Sequence, residues 1–220
     1  MVQAVIFDMD GLMLDTEKVA TRAWKQTFND LGYSLTNELN LAMVGRNEPD
    51  ADAIILQVMG ADFPVKRCRR QANACYVALL EKEGIPINNG LIELLGFLKQ
   101  RSIILAVATS TPRSLALHKL GLTGLDSWFS AIVAGDDITR GKPEPDLFLA
   151  AARQMNASPY RCVVLEDSPA GIRAGHAAGM VPIMVPDMIS PDETIRSLAY
   201  AIVPSLWEAK QVISDLMEKP

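Results

Sequence analysis

A chain of 220 residues with 49% hydrophobic side chains has enough apolar material for one large domain, or for a core domain carrying a smaller one. Its net charge of −5 and pI near 5.1 leave no cationic footprint for nucleic acid. No apolar run is long enough to span a bilayer and the first residues lack a secretion-signal layout, so the expectation is a cytoplasmic protein with no membrane partner.

The first predicted element is a strand. Val5-Ile6-Phe7 is a short apolar run of β-branched and aromatic residues. Asp8 and Asp10 follow it, and Gly11 lets the backbone turn. Positions i and i+2 of a strand share a face, so both carboxylates point the same way. At the carboxyl end of a parallel strand, that direction is the ligand crevice of an open α/β sheet. Two anions so close repel, and call for a bound cation, a shared proton or both. Beside a bound cation, one carboxylate can attack a phosphoryl group while its neighbour passes protons. The competing reading is a surface turn with two solvated acids, and the apolar residues on either side weigh against it.

From Val19 the spacing turns helical. Val19, Ala23, Trp24, Phe28 and Leu31 recur at helical intervals, and Gly32 supplies a stop. Further helices are predicted over residues 39–44, 51–59 and 65–83, separated by Gly45, Pro49, Gly60 and Pro64. The cluster Gly84-Ile85-Pro86-Ile87-Asn88-Asn89-Gly90 is a loop, and beyond it strands and helices alternate. A helix over 91–101 leads to a strand over 103–108, which ends in Thr109-Ser110-Thr111 and then in Pro112, suited to a helix start. A strand over 131–134 precedes a helix over 146–155, and a strand over 162–165 precedes a helix over 169–178. A strand over 181–185 is the last clear one before a closing helix over 207–217. This alternation predicts an α/β fold, a doubly wound, Rossmann-like parallel sheet with helices on both faces. The helical block interrupts it after the first strand. The predicted domains are therefore a core of residues 1–15 and 87–220 and an inserted α-helical domain of residues 16–86.

Several strand ends and loops carry the polar residues that a phosphate site needs. Asp8 and Asp10 follow the first strand, and Thr109 and Ser110 follow the second. Lys142 stands in Thr139-Arg140-Gly141-Lys142-Pro143-Glu144-Pro145-Asp146, and Glu166-Asp167 closes a third strand. A parallel sheet gathers all of these at one edge. Several carboxylate oxygens there favour a hard cation, Mg²⁺. Lys142 and the Thr109 hydroxyl would hold phosphoryl oxygens and stabilise charge as it develops.

These segments carry a family resemblance. Phe7-Asp8-Met9-Asp10-Gly11 with Asp15-Thr16, the strand ending at Thr109, Gly141-Lys142-Pro143 with Pro145-Asp146, and Leu165-Glu166-Asp167-Ser168 with Ala170-Gly171 resemble the haloacid dehalogenase superfamily, in its phosphatase and phosphomutase branch. The resemblance implies that Asp8 is the nucleophile that forms an aspartyl-phosphate and Asp10 the general acid/base. It implies that Thr109 and Lys142 hold the phosphate. Asp8, Asp167, the Asp10 carbonyl and Glu166, directly or through water, would bind Mg²⁺. An acid at position 10 also argues against dehalogenation, because a departing halide needs no proton and a sugar alkoxide does. The helical block resembles the cap that closes over such sites, and Thr16, Lys25, Arg46 and Ser110 become the candidates for substrate contact.

The implied activity is hydrolysis of small phosphorylated metabolites, sugar phosphates or nucleotides, by a monomer or weak dimer. The alternative is a β-phosphoglucomutase-like phosphoryl transferase. Arg22-Ala23-Trp24-Lys25 resembles that enzyme's first cap helix, but Ala20 stands where the mutase has a histidine. In Val44-Gly45-Arg46-Asn47-Glu48-Pro49-Asp50, Arg46 is the candidate replacement for the arginine that grips the mutase's second phosphate. Both departures favour the phosphatase.

Other features have plainer readings. The cluster Lys66-Arg67-Cys68-Arg69-Arg70 reads as a solvated helix face. His118 and His176 fall in predicted helices with no second ligand at metal spacing. Trp24 belongs to an apolar stripe; Cys68, Cys75 and Cys162 have no metal-pair spacing, and Cys68 and Cys75, seven apart in a helical pattern, read as reduced packing residues. Ser168-Pro169 reads as a helix start.

Overall fold

A computed structural model describes residues 2–44, 46 and 48–218. The chain divides into two units, residues 1–14 with 87–220 and residues 15–86.

In the first unit, six strands form one parallel sheet: β1 (Ala4–Phe7), β2 (Ile104–Ala108), β3 (Ala131–Val133), β4 (Cys162–Glu166), β5 (Val181–Met184) and β6 (Ala201–Ile202). Their order is β3-β2-β1-β4-β5-β6. Starting from the central strand β1, the chain builds outward to β3 on one side, then crosses to β4 and builds outward on the other. The switch point therefore lies between β1 and β4, where this sheet class opens a crevice. Register is continuous there, with Ala4 opposite Ile104 and Cys162, and Phe7 opposite Val107 and Leu165.

The central strands are buried on both faces, which is why they read as unbroken apolar runs. Ala4, Ile6, Ala106, Ala108, Cys162 and Val164 join one core with Leu147, Phe148 and Ala151 of a helix over Asp146–Gln154. The alternate residues face the other way, and Phe7 there meets Phe129 edge-on at 5.8 Å.

Among the described residues, the second unit holds four helices: α1 (Glu17–Asp30), α2 (Asn37–Met43), α3 (Glu48–Met59) and α4 (Val65–Glu83). On α4, Val65, Cys68, Ala72, Tyr76 and Leu80 are buried at spacings of three and four, the stripe of an amphipathic helix. Phe28, Leu35, Leu39, Met43, Ile55, Phe63 and Cys68 form this unit's own core, with Trp24 packed on its margin. Phe28 and Phe63 stack at 5.3 Å between ring centroids.

The remaining helices belong to the first unit: α5 (Leu91–Gln100), α6 (Arg113–Thr123), α7 (Asp146–Gln154), α8 (Pro169–Ala177), α9 (Glu193–Leu198) and α10 (Leu206–Glu218). The sequence reading ended the sheet at the strand over 181–185. The structure adds α9 and β6, which pairs in parallel with β5. β6 is two residues long and only half-buried, too short to show a period. Gly45 and Asn47, within one of the segments read as cap-like, lie outside the described residues. Among the described residues, no helix is long and apolar enough to cross a membrane.

Candidate active site

The site is assembled at the carboxyl edge of the three central strands. The β1 ladder to β4 continues one residue past the strand, with the Asp8 N–H donating to the Leu165 carbonyl at 3.0 Å. Asp8 is thereby placed beside Glu166, the last residue of β4, and Asp167 just beyond it. Likewise the Thr109 N–H donates to the Val133 carbonyl at 3.0 Å, which holds buried Thr109 at the end of β2. Its hydroxyl accepts from the Thr111 N–H at 3.1 Å, and half-buried Ser110 follows in the same turn.

Lys142 joins the three strand ends. Its ammonium is buried and donates to Asp8 Oδ1, to Glu166 Oε1 at 2.6 Å and to the Ala108 carbonyl at 3.3 Å. An ammonium has three N–H donors, and all three are used. Its position is thus fixed by β1, β2 and β4 together. Phe148 of α7 lies beneath it, with the ring centroid 5.1 Å from Nζ.

Glu166 is equally constrained. Its second oxygen, Oε2, accepts from the Ser168 N–H at 2.7 Å and the Ser168 hydroxyl at 2.9 Å. The same hydroxyl accepts from the Gly171 N–H at 3.1 Å, the N-cap expected of Ser168-Pro169. Two glycines permit the close packing. A Cβ at Gly171 would fall on the Glu166 carboxylate. A Cβ at Gly11, whose φ of 85° suits glycine in any case, would strike the Asp167 carboxylate.

One oxygen from each of Asp8, Glu166 and Asp167 lies within 4.8 Å of the others, and all three residues are buried. Asp8 and Glu166 share one Lys142 ammonium, with the Asp167 carboxylate close by, so negative charge is concentrated in a poorly solvated place. Burial is the main reason the Asp8 carboxyl is pushed up to about 7, with Lys142 pulling against it and Glu166 reinforcing it. Burial also disfavours the Lys142 ammonium, but the charges of Asp8 and Glu166 outweigh this and raise its pKa. The donor set, hard carboxylate oxygens gathered close together, fits a divalent cation of the Mg²⁺ type.

Asp10 is placed differently. Its carboxylate is not in that cluster. Oδ1 accepts from the Lys119 ammonium at 2.6 Å and Oδ2 from the Thr111 hydroxyl at 2.7 Å. The loop that carries it is held by Asn88, whose Nδ2 donates to the carbonyls of Gly11 at 2.7 Å and Leu12 at 2.9 Å.

The structure thus brings together Asp8, Lys142, Glu166 and Asp167, with Thr109 at the adjoining strand end. Of the remaining sequence candidates, Asp10 and Ser110 belong to the sheet unit, and Thr16, Lys25 and Arg46 lie in the helical unit. Thr16 is buried at the start of α1, Lys25 donates to Asn37 Oδ1 at 3.4 Å, and Arg46 is exposed between α2 and α3. The sequence reading missed Asn88, Thr111 and Lys119. For Lys119 there was a signal, because it falls on the buried stripe of α6 with Ala116 and Leu120.

The plainer readings also meet the structure. Arg69 of the basic cluster is half-buried, pairing with Asp52 and lying over Trp24, while Lys66, Arg67 and Arg70 are exposed. All three cysteines are free thiols, and burial pushes those of Cys68 and Cys162 up to about 11.

Comparison with known proteins agrees with this architecture. Residues 2–179 match the family model described as haloacid dehalogenase-like hydrolase. A phosphorylated carbohydrates phosphatase of Thermotoga maritima is 33% identical over 183 residues, 81% of this chain and 82% of that protein. The β-phosphoglucomutase of Bacillus subtilis is 30% identical over 227 aligned positions, covering 96% of this chain and 98% of the relative. The solved structure of CbbY from Rhodobacter sphaeroides in complex with phosphate superposes with a TM-score of 0.83 at 29% identity, over 94% of this chain and 96% of that one. The chain belongs to the haloacid dehalogenase-like hydrolase family.

Proposed function

We propose that this protein is a Mg²⁺-dependent phosphatase of small phosphorylated metabolites, sugar phosphates or nucleotides, that works through an aspartyl-phosphate on Asp8. The observation that carries this reading is the buried Lys142 ammonium held between Asp8 and Glu166 beside Asp167. Asp8 and Asp167, the Asp10 main-chain carbonyl, and Glu166 directly or through water would hold the cation. When bound, Mg²⁺ offsets the concentrated negative charge and polarises the phosphoryl group.

The residues divide the work. Asp8 attacks phosphorus in line, and the bond to the ester oxygen breaks as the Asp8–phosphorus bond forms. Asp10 gives its proton to the departing alkoxide. Thr109 and Lys142 hold the phosphoryl oxygens, Lys142 by turning one N–H from its present acceptors to a phosphoryl oxygen while the others keep it in place. Asp10 then takes a proton from water as that water attacks the acyl phosphate, which releases phosphate and restores the Asp8 carboxylate. Thr16 and Ser110, with the cations Lys25 and Arg46 of the helical unit, are assigned to substrate choice.

The similarity to a phosphorylated carbohydrates phosphatase supports the sugar-phosphate class, and the similarity to a β-phosphoglucomutase supports phosphoryl transfer as the second reading. Ala20, which offers no imidazole, favours hydrolysis. Phosphate release from sugar, nucleotide and polyol phosphates, with and without Mg²⁺, tests the proposal beside a bisphosphate-primed conversion of glucose 1-phosphate to 6-phosphate. Metal-dependent release from one group is expected. Isomerisation with little free phosphate would transfer the assignment to the mutase.

A further inference from the structure

The two aspartates of the first loop have separate lysines. Asp8 is paired with Lys142, and Asp10 with Lys119. The second pairing has no place in the scheme above. Lys119 lies on α6 with its side chain 2% exposed, and its ammonium reaches Asp10 Oδ1 at 2.6 Å. The Thr111 hydroxyl, just before α6, donates to the other Asp10 oxygen at 2.7 Å. Both carboxylate oxygens are therefore held from one segment, Thr111 to Lys119, while Asn88 holds the backbone that follows Asp10 at the Gly11 and Leu12 carbonyls.

Stability alone is a weak reason for a lysine there. Drawing an ammonium out of water costs several kcal/mol, and a well-packed apolar residue of similar volume commonly does as well as a buried ion pair. Position 119 sits on the stripe of Ala116 and Leu120, where leucine or methionine would satisfy the core. What the ammonium adds is direction. A carboxylate on two rotatable bonds is confined when each oxygen has its own donor, and the second donor, Thr111, comes from a different backbone position.

We propose that Lys119 and Thr111 are positioning residues for the proton transfer carried out by Asp10. They fix its carboxylate apart from the Asp8, Glu166 and Asp167 cluster, so that it remains a proton carrier rather than a ligand of that cluster. This inference rests on the phosphatase reading. Lys119 keeps its proton throughout; Asp10 delivers its proton to the leaving oxygen as the phosphorus–oxygen bond breaks, and regains one from the water that later attacks the acyl phosphate.

The test is dependence on the leaving group, read as kcat/KM, which covers the steps through loss of the first product. A sugar phosphate departs as a poor leaving group and needs the acid; 4-nitrophenyl phosphate departs without it. Lys119→Met is expected to lower kcat/KM for the sugar phosphate by about 10–100-fold, less than the roughly 10²–10⁴-fold that general acid catalysis as a whole contributes, and to leave that for 4-nitrophenyl phosphate nearly unchanged. Thr111→Val, a smaller change in a half-buried turn, is expected to show the same selectivity to a lesser degree. In an Asp10→Asn background neither substitution should add a further loss. Equal losses on both esters, or no loss from either variant, would overturn the positioning role. If Lys119→Met fails to fold, Thr111→Val alone and in the Asp10→Asn background decides between these outcomes. Wild-type enzyme that hydrolyses neither ester would instead remove the phosphatase reading, a separate outcome visible before any variant is made.

Discussion

The two units of this chain treat charge in opposite ways. In the helical unit the core is apolar, built from Phe28, Leu39, Ile55, Phe63 and their neighbours, and its ion pairs such as Arg22–Glu83 lie outside. In the sheet unit Asp8, Lys119, Lys142, Glu166 and Asp167 are all buried, and among the described residues no other charged side chain is. Buried charge costs free energy wherever it occurs. One unit avoids that cost, and the other concentrates it at the carboxyl edge of three neighbouring strands. Such a concentration is the ground for proposing the active site there, because perturbed ionisable groups gather at working sites.

The comparison breaks most visibly at Lys142. Lys142→Ala leaves Asp8 and Glu166 without their shared cation, and the expected loss is about 3–5 kcal/mol of stability together with turnover. Added Mg²⁺ should recover part of the stability, because it supplies the missing positive charge. Thermal unfolding with and without Mg²⁺ checks both statements, and a melting temperature indifferent to the substitution would remove the idea of a charge-bound core.

Phe28→Ala is the matching change in the helical unit. It removes a fully buried ring that touches Phe63 and Trp24, at an expected cost of about 3–5 kcal/mol. No charge is unpaired there, so Mg²⁺ should restore none of it. Recovery by Mg²⁺ in the same unfolding experiment would erase the distinction between the units.

The smallest effect is expected of charge at the surface of the sheet unit. Arg113 donates from Nε to Asp137 Oδ1 at 2.9 Å and from Nη2 to the Ile132 carbonyl at 2.8 Å. Its hydrogen bond is the main cause that holds the Asp137 carboxyl below its usual range. A depressed carboxyl stabilises the fold above its unfolded value of 3.8 and loses that contribution as pH falls through the lower folded value. Because the pair is solvent-screened, Arg113→Ala should cost only about 1 kcal/mol near neutral pH. The difference from wild type should shrink in acid. Denaturant unfolding at both pH values reads it, and a gap that widens in acid would reverse the sign.

Much of this arrangement was legible before the fold. The apolar run before Asp8, the Thr109 strand end, the Gly141-Lys142-Pro143 loop and Leu165-Glu166-Asp167 each pair a local pattern with a polar residue, and a parallel sheet has one edge at which they can meet. What stayed hidden depended on tertiary contact. Lys119 is a lysine in a helix, and its burial follows from the side it turns to the sheet unit's core. Thr111 looked only like part of a helix start, yet its hydroxyl reaches across the turn to Asp10. Asn88 looked like a loop residue, while its amide clamps a turn far away in the chain. β6 was missed for another reason, since two half-buried residues carry no periodicity.

Everything proposed for the site depends on Asp8 carrying the phosphoryl group. Acid quenching of the enzyme as it turns over a sugar phosphate with Mg²⁺, followed by peptide mass mapping, tests it most directly when Asp8→Asn is run alongside. The account predicts a hydroxylamine-sensitive phosphoryl group on the Asp8 peptide of the wild type, none in the variant, and a loss of turnover in the variant of at least about 10⁴-fold. A phosphoryl group on another residue, or an Asp8→Asn enzyme that keeps most of the wild-type turnover, would contradict it.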